Sequence, residues 1–116
     1  MEQKAEILIV DDNLENAEAL KAALVDPSYN IVIATRIDEA LRAVLKHNLA
    51  LIVMDVQLKE MTGFELARMI KSRPKSKEIP VIFVSASSRD RSTYEEAYAA
   101  GGADFMEKPL DPMFIR

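Results

Sequence analysis

Apolar residues gather along this chain in short unbroken runs: Ile7-Leu8-Ile9-Val10, Leu51-Ile52-Val53-Met54 and Val81-Ile82-Phe83-Val84. None alternates with polar residues, as a strand with one wet face would, so each fits a strand covered on both sides. A fourth run, Ile31-Val32-Ile33-Ala34, follows the turn signal Asp26-Pro27-Ser28, and a weaker fifth is Ala103-Asp104-Phe105-Met106-Glu107. Between the runs the period lengthens to that of a helix. Leu14, Ala17, Leu20 and Leu24 form one apolar stripe; Ile37, Ala40, Leu41, Val44 and Leu45 form another. Thr35 with Asp38 resembles a cap for that second helix. Thr62-Gly63-Phe64-Glu65 reads as a capping box opening a third, whose Leu66, Ala67 and Ile70 face inward. Asp90 caps a fourth helix running to about Ala100, where Gly101-Gly102 stops it, and Asp111-Pro112 opens a fifth that is cut short at Phe114-Ile115-Arg116.

Strand and helix therefore alternate five times, which predicts an α/β fold: a doubly wound, five-stranded parallel sheet with helices on both faces. The 116 residues suit one domain over 1–116, large enough to bury roughly two thirds of its unfolded surface. The last helix is too short to cover a sheet, so the domain is expected to be the N-terminal part of a longer chain.

Composition removes several function classes. A net charge of −4 argues against a nucleic-acid-binding face, and the absence of cysteine excludes disulfides and thiolate chemistry. The longest apolar run, Leu49 to Met54, is far too short to span a bilayer, and Met1-Glu2-Gln3-Lys4 is polar rather than a signal segment. A soluble cytoplasmic protein without membrane contact is expected.

Ligands of open parallel sheets bind beyond the carboxyl ends of the strands. Here the first strand ends in Asp11-Asp12, the third in Asp55, the fourth in Ser85 and the fifth in Lys108-Pro109. One polar residue at a strand end merely begins a loop; five delivered to one edge make a candidate site. Three carboxylates in one pocket repel each other unless a cation sits among them. Hard oxygen ligands that leave room for water suit Mg²⁺, which can bridge a carboxylate and a phosphoryl oxygen. Lys108 adds a second positive charge and Ser85 a hydrogen-bond donor. These are the parts of a phosphoryl-transfer site.

The same residues carry a family resemblance. Ile7-Leu8-Ile9-Val10-Asp11-Asp12-Asn13, Val53-Met54-Asp55-Val56, Met61-Thr62-Gly63, Val84-Ser85-Ala86 and Gly101-Gly102-Ala103-Asp104-Phe105 before Lys108-Pro109 are similar to the motifs of receiver domains of two-component response regulators. The likeness runs from about Ala5 to Arg116. It implies a flavodoxin-like (βα)5 fold with strand order 2-1-3-4-5. It also implies that Asp55 is the nucleophile, accepting a phosphoryl group from the phosphohistidine of a histidine kinase or histidine phosphotransfer protein. Mg²⁺ would be ligated directly by Asp12 and Asp55, by Asp11 largely through water, and by the backbone carbonyl of Gln57. Ser85 and Lys108 would bind the phosphoryl group, with Lys108-Pro109 as a cis peptide. Phe105 would change rotamer as Ser85 moves, shifting the loop from Ser85 to Asp90 and the fourth helix.

On that helix Tyr94 and Tyr98 are either core residues or an output face beside Phe105. A homodimer through the fourth helix and fifth strand, and an attached output domain, are further partners the resemblance implies. Such a domain is no turnover enzyme on external substrates, although it promotes its own phosphorylation and dephosphorylation. The resemblance also places Gln57 and Ser87 at the two variable positions flanking the phosphoryl site, which are expected to tune its hydrolysis. Lys59 stands where a proline is frequent, and Gly102 where alanine is. The alternative is a phosphorylation-independent interaction module that keeps the fold, but such modules usually lack an acid or the lysine, and none is missing here. Aspartate-nucleophile phosphatases carry a second acid where this chain has Gln57, and flavin-binding relatives in topology need a phosphate loop absent after the first strand. His47 reads as a solvated helix-end residue, the six methionines as core filler, and Arg68, Lys71, Arg73, Lys75 and Lys77 as a solvated loop.

Overall fold

The computed structural model describes residues 4–85, 95, 96 and 98–101, and the backbone of 104–107. In chain order these form β1 (Ala5–Val10), α1 (Leu14–Leu24), β2 (Tyr29–Ala34), α2 (Ile37–Lys46), β3 (Leu49–Asp55), α3 (Gly63–Lys71), β4 (Val81–Ser85) and β5 (Asp104–Glu107). The strands pair in parallel in the order β2-β1-β3-β4-β5. The expected last helix lies outside the described residues.

The unbroken apolar runs are explained by the pleat, which sends successive side chains to opposite faces. Ile7, Ile9, Val53 and Val84 pack with Ala17, Leu20 and Leu24 of α1 on one side. Leu8, Val10, Ile52, Met54, Val81 and Phe83 pack with α2 and α3 on the other. Helices thus cover both faces, as the alternation predicts. Phe83 meets Phe64 of α3 edge to face, with ring centroids 4.8 Å apart, which seats α3 over β4.

Local chemistry sets the helix ends. Asn13 caps α1 by accepting from the Asn16 N–H at 3.0 Å. At α3 the predicted capping box is formed: Thr62 Oγ1 accepts from the Glu65 N–H and Glu65 Oε1 from the Thr62 N–H, each at 3.1 Å. Thr62→Ala should cost about 1 kcal/mol in urea-unfolding stability; a change of no more than a tenth or two would mean that water replaces the cap.

Three local expectations need correction. Thr35 pairs with Glu39, which accepts from both its N–H (3.0 Å) and its hydroxyl (3.1 Å), and Asp38 instead holds Arg36 at 2.8 Å. The cap reaches four residues on because Arg36, not Thr35, is the N-cap. Leu14 and Leu45 lie outside the buried stripes, 57% and 51% exposed, Leu14 as the first residue of α1 and Leu45 about 100° round α2 from the buried Val44. His47 is no solvated helix end. As the C-cap of α2 it is half-buried, with Nδ1 3.0 Å from Glu6 Oε1 of β1.

Glu6 also accepts from the Asn48 N–H (3.1 Å) and the Asn30 side-chain amide (3.3 Å), joining β1, β2 and the α2–β3 turn at the amino edge of the sheet. The His47 hydrogen bond, outweighing partial burial, holds the Glu6 carboxyl below the usual glutamate range. A carboxyl lowered on folding contributes stability above its unfolded value, near 4.5, that is lost as pH falls through the folded one. Glu6→Gln should therefore lower stability at neutral pH and flatten the acid limb of the profile below about pH 4.5. Parallel urea midpoints for the two proteins across that limb would contradict it.

Candidate functional site

The carboxyl edge of the sheet is where the chemistry collects. β1 ends with Val10, so Asp11 and Asp12 leave its carboxyl tip, while Asp55 closes β3 and Ser85 closes β4. β1 and β3 are neighbours with Val10 opposite Met54, and Val84 lies opposite Asp55 across β3 and β4. One oxygen from each of Asp11, Asp12 and Asp55 falls within 4.8 Å of the others. Asp11 and Asp55 are buried, as is Ser85, and Asp12 is half-buried.

The backbone aims two of the carboxylates. Asp11 Oδ1 accepts from the Asn13 N–H at 3.0 Å, and Asp55 Oδ1 from the Gln57 N–H at 3.2 Å. Each is an Asx-type turn that folds the side chain back over the loop leaving its strand. Three acids this close raise one another's energy unless positive charge sits with them. The donor set is all hard oxygen, two thirds of it buried, which fits a divalent cation of the magnesium kind.

The loop after β3 is held shut by backbone contacts. The Gly63 N–H donates to Val56 O at 2.7 Å, and Gln57 bridges Thr62. A Cβ built on Gly63 would lie 2.1 Å from Asp55 O and 2.9 Å from Met54 Cγ. The third helix thus starts directly against the backbone of the buried aspartate, a contact that sequence patterning gave no sign of beyond the capping box. Beside Asp12 opens a cleft of about 420 Å³, floored by Val10, Ile37 and Leu58 and rimmed by Arg36, Lys59 and Glu60. Arg36 faces it while bound to Asp38, which raises the guanidinium and lowers the carboxyl from their ordinary values.

Of the sequence-predicted site residues, Asp11, Asp12 and Asp55 come together, and Ser85 stands at the same edge on the adjacent strand. Gln57 is exposed on the loop. Ser85 is the register partner of Glu107, the residue before Lys108. Lys108, Pro109, Tyr94, Ser87 and the Phe105 side chain lie outside the described residues. Tyr98 is 56% exposed while Ala100 is buried with the α2–α3 side of the core. Gly101 ends that helical stretch at φ 89°, its N–H on Tyr98 O, a left-handed backbone that favours glycine. No helix among the described residues is long and apolar enough to cross a membrane.

A family model described as the response regulator receiver domain matches residues 7–116. Among curated relatives, the two-component response regulator ORR3 of Oryza sativa subsp. indica is 32% identical over 118 residues, covering 96% of this chain and 85% of its own. The transcriptional regulatory protein YvrH of Bacillus subtilis is 33% identical over 112 residues, covering 96% of this chain but 46% of its own. The chain thus spans less than half of that relative and most of the other. Among solved structures, the Vibrio cholerae chemotaxis protein CheY4 superposes with a TM-score of 0.86 at 26% identity, over 95% of this chain and 91% of that one.

Proposed function

We propose a phosphoacceptor role for Asp55 in this chain, which belongs to the response regulator receiver domain family and is therefore a signalling domain. The observation that carries the reading is the meeting of three carboxylates from two adjacent strands at the carboxyl edge of the sheet. Asp55 attacks phosphorus: the Asp55 Oδ–P bond forms as the donor's phosphohistidine N–P bond breaks, the imidazole keeping the electron pair. The Gln57 N–H on Oδ1 fixes the carboxylate's rotation before attack. Burial of Asp55 excludes bulk water from the nucleophile's flank. Asp11, Asp12 and Asp55 would hold Mg²⁺, with the Gln57 carbonyl as a further ligand; the ion supplies charge neutralisation for the transferring phosphoryl group. Ser85 and Lys108 then bind its oxygens, which gives the phosphorylated state contacts that the free state lacks and shifts the Ser85, Phe105 and fourth-helix region toward a second conformation. A histidine kinase or histidine phosphotransfer protein is the donor, and partners or an attached output domain read the change.

Intact-mass measurement after incubation with acetyl phosphate and Mg²⁺ tests the reading. One phosphoryl adduct per chain is expected, lost when EDTA is added first. No adduct would leave the phosphorylation-independent module as the better description, and an adduct mapping to another residue would take the phosphoacceptor role from Asp55.

A further inference from the structure

The cations from Arg68 to Lys77 do not form the expected solvated loop. Arg68 and Lys71 belong to α3, and Lys75 donates to Leu45 O at 2.8 Å, tying the turn after α3 to the last turn of α2. Lys71 departs furthest from the expectation. A lysine at a helix end ordinarily keeps its ammonium in water. Lys71 Nζ instead donates to Ile79 O at 2.6 Å and to Lys77 O at 3.2 Å. Desolvation lowers its pKa from the ordinary lysine value, outweighing the opposite effect of Glu78. The ammonium gives up hydration to hold the turn that leads into β4.

The stem of the same side chain meets a different segment. A Cβ built on Gly101 would lie 2.6 Å from Lys71 Cδ and 3.1 Å from Lys71 Cε. Gly101 therefore rests directly on the lysine methylenes, and its left-handed φ of 89° favours glycine independently. The contact falls where the helical stretch through Tyr98 closes. There the Ala100 N–H donates to Glu96 O and the Gly101 N–H to Tyr98 O, each at 3.0 Å. Ala100 is buried in the cluster that holds Leu66, Ala67 and Ile70 of α3. A methyl group is a small anchor for a helix end, and the lysine stem is the next surface beside it.

We propose that Lys71 is a latch: its ammonium locks the stem onto the Lys77 and Ile79 carbonyls, and the locked stem seats the end of the helical stretch at Gly101 against α3. A free lysine stem is a poor packing surface, because ordering it for a contact costs rotamer entropy. Here the two carbonyls fix the stem in the folded chain, and the missing Cβ of Gly101 lets backbone lie against it. One side chain thereby joins three segments: the end of α3, the turn into β4 and the helix end at Gly101. The latch stands without the phosphoacceptor reading. Where that reading has the fourth helix shift, the latch makes the Gly101 end its pivot. The other end of α3, at Gly63, abuts the Asp55 backbone, so one helix spans from the proposed phosphoacceptor to the pivot.

The test is a double-mutant cycle in urea on the full chain, pairing Lys71→Met with Gly101→Ala. Methionine keeps an unbranched stem but has no ammonium to lock it. In the parent, the alanine methyl meets a stem that cannot swing away; in the Lys71→Met background the stem can, and only the backbone strain remains. Gly101→Ala should therefore lower the urea midpoint about twice as far in the parent as in Lys71→Met. Equal shifts in the two backgrounds would show that the stem is free to move, and would overturn the latch in favour of a lysine that staples its own turn alone. Amide hydrogen exchange read by NMR gives a second measure. Lys71→Ala removes ammonium and stem together, so the Ala100 and Gly101 amides should exchange about ten-fold faster than in the parent. Unchanged rates at both would overturn the proposal as well.

Discussion

Asp55→Asn is expected to reduce phosphoryl uptake from acetyl phosphate to background while the chain stays folded. The amide is nearly isosteric with the carboxylate, so β3 and its pairing with β1 and β4 should be undisturbed, and the amide oxygen can still accept from the Gln57 N–H. What disappears is the nucleophilic oxygen and one of the three charges that gather within 4.8 Å. The second loss has its own readout. A cation bound by the folded state alone stabilises it by mass action, so the parent's unfolding temperature should rise with Mg²⁺. The variant's should respond only at concentrations about ten-fold higher, equivalent to about 1.4 kcal/mol of lost binding. Stoichiometric labelling of the variant would move the phosphoacceptor elsewhere. An unchanged Mg²⁺ response would remove Asp55 from the metal site and leave Asp11 and Asp12 to be tested in turn.

The frame of this fold was legible because it rests on local signals. Runs such as Ile7–Val10 read as doubly covered strands, and in the sheet Ile7 and Ile9 do face α1 while Leu8 and Val10 face α2 and α3. Strand ends could be read to within a residue or two, and that sufficed to place Asp11, Asp12 and Asp55 on one edge, since the edge is a property of parallel topology. The readings that failed depend on where an element stops relative to its neighbours. Leu45 fits an apolar stripe on paper, yet it lies about 100° round the helix from the buried Val44 and is exposed. Glu6 and His47 are 41 residues apart and meet because β1 and the end of α2 share the amino edge; neither carries a pattern that pairs it with the other. Lys71 reads in the sequence as one more cation of a solvated basic loop, but Arg68 and Lys71 belong to α3, and only the fold supplies the Lys77 and Ile79 carbonyls to which the Lys71 ammonium donates.

Gly63→Ala should be the most damaging single methyl in the protein, costing about 3 kcal/mol or more of unfolding free energy. Gly63 sits in α3's first turn, where alanine would ordinarily be the better helix former, so propensity alone predicts a gain. Packing predicts the reverse. The added carbon would stand 2.1 Å from Asp55 O and 2.9 Å from Met54 Cγ. The first of these is a backbone atom at the end of a central strand and cannot rotate away. Either α3 lifts from the sheet, breaking the Gly63 N–H to Val56 O bond and the Phe64 edge contact with Phe83, or the end of β3 is pushed aside. Each route displaces the aspartate proposed as phosphoacceptor. The variant should therefore lose stability in urea and also label more slowly than the parent under conditions where both are folded. A stability change below about 1 kcal/mol in either direction would show that the helix start and the strand end can part without cost. The tight backbone seat would then have no part in positioning Asp55.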